Sequence, residues 1–146
     1  MAARPGEAPI RELSREEIDA LLQDELVGRI GCHADGLTYV VPVIYAYDGE
    51  AFYVASREGQ KVRMMRASPD VCFEVDRYER GSWQSAIAHG RFEELAGEDA
   101  ARAIDLLAGR FGGPAGVRAA GEGTVCFRIR VGELTGRAVD RNTPEG

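Results

Sequence analysis

Within six residues, Ser56-Arg57-Glu58-Gly59-Gln60-Lys61 gathers a hydroxyl, a guanidinium fork and an ammonium. A phosphate group calls for that set, because several donors and positive charge together replace its lost hydration. A helix starting here would also present free backbone N–H groups, which favour an anion. The same residues could equally form an ordinary helix start with solvated basic side chains. The basic residues number 18, yet Lys61 is the only lysine among them. A compact ammonium does not do the work of a planar fork, so a lone Lys either marks a site or survives by chance.

A second group lies at Trp83-Gln84-Ser85, where Trp83 is the only tryptophan. Gln84 and Ser85 are neutral groups suited to heterocycle edges or phosphate oxygens. A core Trp with exposed polar neighbours is the alternative. His89 and Glu74 are the available proton carriers, although a single His in an apolar strand is ordinarily packed and hydrogen-bonded.

Several chemistries are excluded. The chain has no P-loop and no Gly-x-Gly-x-x-Gly opening a helix; Gly121-x-Gly123 lacks the third glycine and leads into a strand. It has no Gly-x-Ser-x-Gly elbow. Cys32, Cys72 and Cys126 are far apart, and His33 and His89 offer no zinc spacing, so no metal is expected. Three buried, reduced thiols are expected instead. The formal net charge of −6, with scattered basic residues, argues against nucleic acid as a partner. No apolar run approaches the roughly 18 residues of a membrane span. Met1 to Pro9 lacks the pattern of a secretory signal, and a cytoplasmic location is the expectation.

The elements that must position these residues follow from period and punctuation. The length of 146 residues suits one domain, 1–146. Residues 1–10 read as a flexible arm, 112–123 as a loose Gly/Ala-rich loop and 138–146 as a tail. Ser14 and Glu17 form a capping box before Ile18, Leu21 and Leu22 at helical spacing. Val27 to His33, Leu37 to Tyr47 and Ala51 to Ala55 read as strands, joined by tight turns at Asp35-Gly36 and Asp48-Gly49 into an antiparallel meander. Pro42 cannot donate to a ladder and should lie at an edge or bulge. A short helix should bury Val62, Met64 and Met65. Val71 to Val75 alternates, and Asp76 to Ser82 reads as a polar loop before a strand from Trp83 to Leu95. Glu98 to Phe111 reads as a helix, and Thr124 to Val131 as the last strand. Six or seven strands with few helices favour a small closed barrel, which removes exposed edges.

Taken in order, these segments resemble the pyridoxamine 5'-phosphate oxidase-like family of FMN-binding split barrels, close to its nitroimidazole-resistance branch. The resemblance runs from about residue 11 to 137. It is carried by Val40-Val41-Pro42-Val43 with Tyr45, by Tyr53-Val54-Ala55-Ser56 leading to Gly59-x-Lys61, and by Met64-Met65-Arg66-Ala67-x-Pro69-x-Val71-Cys72-Phe73-Glu74-Val75-Asp76. Trp83-x-Ser85, Gly90-Arg91-Phe92-Glu93-Glu94-Leu95 and Leu134-Thr135-Gly136-Arg137 complete it. The resemblance implies a mainly β, six-stranded antiparallel split barrel that forms a homodimer with FMN between protomers. Val41, Pro42 and Val43 would border the isoalloxazine ring. Ser56, Arg57 and Lys61 would hold the phosphate, with Trp83, Gln84 and Ser85 contributing from a neighbouring strand or from the other subunit. It further implies an FMN-dependent oxidoreductase acting on a small organic substrate with electrons from a reduced nicotinamide. A non-catalytic flavin-binding protein for storage or sensing, or a relative using F420 or haem, remains open. Val54 stands where nitroimidazole-reducing members carry a His, and no C-terminal Arg-x-His-type clamp for pyridoxamine phosphate is present.

Overall fold

The computed structural model describes residues 9–112 and 122–140. Along the chain run β1 (Ile10–Glu12), α1 (Arg15–Asp24), β2 (Val27–Ala34), β3 (Leu37–Ile44), β4 (Ala46–Tyr47), β5 (Ala51–Arg57), α2 (Gln60–Ala67), β6 (Asp70–Glu79), β7 (Ser82–Leu95), α3 (Gly97–Phe111) and β8 (Thr124–Val139). All the strands join one antiparallel sheet in the order β3-β2-β6-β7-β8-β5-β4, with β1 also on β8. Six strands are long; β1 and β4 have only three and two residues. The expected mainly β split barrel is therefore present, with two short strands added.

Local chemistry sets the elements. Ser14 Oγ accepts from the Glu17 amide and the Glu17 carboxylate accepts from the Ser14 amide, so the capping box starts α1. Ile18, Leu21 and Leu22 form its buried face. Asp35 and Gly36 both take positive φ, as the two-residue turn between β2 and β3 requires. Pro42 lies on β3, the sheet's edge, opposite Arg29. Its missing N–H therefore costs no ladder bond.

The expected meander is wrong in one respect that shapes the molecule. The run from Leu37 to Tyr47 is two strands at opposite ends of the sheet order: β3 pairs with β2, and β4 pairs with β5. Only Tyr45 separates them, so the sheet must curl until its two ends meet there. The Tyr45 amide donates to the Leu26 carbonyl at 3.3 Å and its hydroxyl to the Leu22 carbonyl at 2.8 Å. Its ring meets Phe52 and Phe73 edge-on, at 5.5 and 5.3 Å between centroids, while those two stack at 4.0 Å. Val62 and Met65 of α2 are buried in the same core.

Three boundaries also move. The expected loop from Asp76 to Ser82 is mostly strand, and a two-residue turn, Arg80-Gly81, with positive φ at both positions, replaces it. The last strand runs to Val139 and reaches into the expected tail. Ile10, assigned to the arm, pairs with Val139. Most of the expected loop at 112–123 lies outside the described residues.

Candidate functional site

The phosphate-type segment spans the end of β5 and the start of α2. Gly59 is the N-cap of α2, makes no side-chain cap bond, and no acid stands in the first turn. The helix start is thus open toward an anion. Lys61 is partly buried, and burial alone pushes its ammonium below the ordinary lysine range. Among the described residues no carboxylate pairs with it. Ser56 Oγ donates only to the adjacent Arg57 carbonyl, at 3.2 Å, and is free to turn. The side chain of Arg57 is exposed, with no partner among the described residues. A partly desolvated cation without a counter-charge is costly, and an anion placed beside it would offset that cost. The arrangement departs from an ordinary solvated helix start, because Lys61 is not fully solvated.

On β3, Val41 and Val43 turn inward and pack against the main core, whereas Pro42 faces out. Only Pro42 therefore offers its side chain to the outer surface; the two valines offer backbone.

Trp83, Gln84 and Ser85 open β7 and lie at the far end of the barrel. Ser56 pairs with Val125 of β8, but Ser85 pairs with Arg137 and Trp83 with Val139 of the same strand. The twelve residues from Val125 to Arg137 amount to on the order of 40 Å of strand, even though the ladder bends at the bulge between His89 and Gly90. Within one protomer the two groups therefore meet β8 near opposite ends of its ladder. Gln84 is occupied locally, accepting from Arg77 Nη2 at 3.2 Å.

A groove of about 750 Å³ opens on the outer sheet face, lined among others by Gly31, Val40, Cys72, His89, Gly90 and Glu133. Its floor is bare for a steric reason: a Cβ on Gly90 would collide with the Arg130 carbonyl, and one on Gly31 with Cys72 Sγ. Cys72 lies opposite His89, and His89 opposite Glu133, across three strands. His89 is exposed, which corrects the expectation of a packed histidine. Cys72 is likewise only partly buried, unlike Cys32 and Cys126, whose thiols burial pushes up. Val54, at 1% exposure, belongs to the core and leaves that position without a proton carrier.

Glu74, next along the same outer face, is pushed up to about 7 by burial and by its contact with Asp76, against the pull of Arg29. Arg29 Nη1 donates to Glu74 at 3.2 Å and to Asp76 at 2.9 Å. Arg29 and Glu133 carry no signal of their own in the sequence, because only strand register brings them beside Glu74 and His89.

No helix among the described residues is long and apolar enough to cross a membrane. None of their His, Cys, Asp and Glu side chains form a group of three or more able to hold a metal ion.

Comparison with known proteins agrees with this architecture. An uncharacterized protein of Rhizobium meliloti (strain 1021) is 33% identical over 87 residues, which are 59% of this chain and 58% of that protein. A FAD-binding protein from Mesorhizobium loti is 33% identical in sequence and superposes with a TM-score of 0.76, covering 90% of this chain and 99% of the other. A 5-nitroimidazole antibiotic resistance protein from Bacteroides thetaiotaomicron, at 18% identity, shares the fold with a TM-score of 0.68 over 90% of each chain. The family model described as pyridoxamine 5'-phosphate oxidase matches residues 14–138, and the chain belongs to that family.

Proposed function

We propose that this chain is a flavin-dependent oxidoreductase that binds FMN and transfers electrons to or from a small organic substrate. The observation that carries the reading is Lys61, a partly buried ammonium without an acid partner beside the open start of α2. The FAD-binding relative supports a flavin, and the family supports a cofactor with a phosphate tail. A bound flavin supplies the redox chemistry. The protein's part is to hold it: Lys61, Ser56 and Arg57 grip the anionic end, and the backbone of Val41 to Val43 borders the ring.

The distance between the two candidate groups supports a homodimer. Trp83, Gln84 and Ser85 of one copy can complete a site with Lys61 of another, because within one protomer the two groups lie beside opposite ends of β8. With this division each cofactor lies between subunits, and the dimer carries two sites.

The purified protein is expected to be yellow, and the small molecule released by denaturation to have the mass of FMN. Lys61→Ala should raise the FMN dissociation constant about 10- to 100-fold, as loss of a charged hydrogen bond of about 1.5–3 kcal/mol implies. Titration by flavin fluorescence quenching reads this directly. An unchanged affinity would remove Lys61 from the site. A colourless protein that binds no flavin would end the reading, whereas release of FAD, F420 or haem would replace the cofactor.

A further inference from the structure

The outward face of β3, β2, β6 and β7 surrounds a charged centre with apolar side chains. Val27 lies opposite Ile44, Val40 opposite Gly31, and Ile87 opposite Glu74. Val27, Val40, Ile44 and Ile87 are each between 40% and 62% exposed. At the centre, the one guanidinium of Arg29 serves both Glu74 and Asp76. With both acids ionised the triad holds one negative charge in surplus. Water tolerates that surplus on an open face, but a covering protein surface does not. A proton on Glu74 removes it and leaves Arg29 paired with Asp76.

We infer that this face is a proton-linked self-association surface, on which a second copy of the chain docks more tightly once the Arg29–Glu74–Asp76 triad has taken up a proton. The inference rests on the dimeric reading above, since the cofactor site as divided needs a second copy. Each copy brings one surplus charge to the assembly, so ionised triads oppose association twice over.

The surroundings reinforce the sign. Glu74 faces Arg29 on β2 and Ile87 on β7, with Cys72 and Asp76 beside it on β6. His89 and Ser85 flank Ile87 along β7. Asp24 and Glu25 line the hollow next to Arg29 and Asp76, which adds negative charge; Arg77 offsets Asp24 at 3.4 Å. Glu74 already titrates well above an ordinary carboxyl, at about 7. Covering it disfavours the charged form further and raises it again. Association is therefore strongest below pH 7 and weakens as pH rises through and beyond that value.

The test measures the dimer dissociation constant of the purified full chain at pH 6.5 and 8.5, by sedimentation and by dilution of a fluorescently labelled sample. Where dimers outlast dilution, subunit exchange between two labelled pools gives the same comparison as a rate. Dissociation should be about tenfold easier at pH 8.5. Glu74→Gln should be tight at both values and lose the difference, while His89→Gln keeps it, which separates the carboxyl from the nearby imidazole. An affinity independent of pH in a dimeric protein, or a pH slope surviving in Glu74→Gln, overturns the proton linkage alone. A monomer at every pH overturns the dimeric reading and the linkage with it.

Discussion

Tyr45→Ala is expected to lower the stability of the folded chain by about 3–5 kcal/mol, the usual cost of deleting a buried aromatic ring. Tyr45 is fully buried, and its ring packs edge-on against the stacked pair Phe52 and Phe73 where the two ends of the sheet meet. Removing the ring leaves a cavity at the point of closure and loses two edge-to-face contacts. The hydroxyl adds a separate term: Tyr45→Phe should cost about 1–2 kcal/mol, because the Leu22 carbonyl then loses its donor. Urea denaturation followed by circular dichroism measures both. A loss below about 1 kcal/mol for the alanine variant would mean that closure does not depend on this residue.

The second expectation concerns how the site is shared. Lys61→Ala, and separately the double variant Gln84→Ala/Ser85→Ala, should each retain little FMN as homodimers. Co-expressed with different tags and purified as the mixed dimer, the two should bind one FMN per dimer at close to the unmodified affinity. The reason is geometric: of the two composite sites in the mixed dimer, one carries both lesions and the other neither. If both groups served a site within one protomer, every site of the mixed dimer would carry a lesion and no binding would return. Flavin absorbance per dimer distinguishes one from none.

Much of this protein is legible locally. The capping box at Ser14 and Glu17, the Asp35-Gly36 turn, the inward alternation of Val71, Phe73 and Val75, and the buried face of α2 all depend on residues within a few positions of one another. The sequence by itself therefore determined where most helices and strands lie. It also placed Ser56, Arg57 and Lys61 at one junction of β5 and α2, because they are close in the chain.

Tertiary structure decided the pairing. Nothing within Leu37 to Tyr47 says that its two parts join opposite ends of a sheet; that follows from closing the barrel, which removes edges and buries Tyr45. The far half of β8 reads weakly alone, since Gly132, Glu133, Thr135 and Arg137 are exposed, and it is a strand because β7 and β1 pair with it. The grouping of Arg29, Glu74 and Asp76, and the row from Cys72 through His89 to Glu133, come from register between strands distant in sequence. Register is set by which faces must be buried together, a property of the whole sheet that no single segment carries.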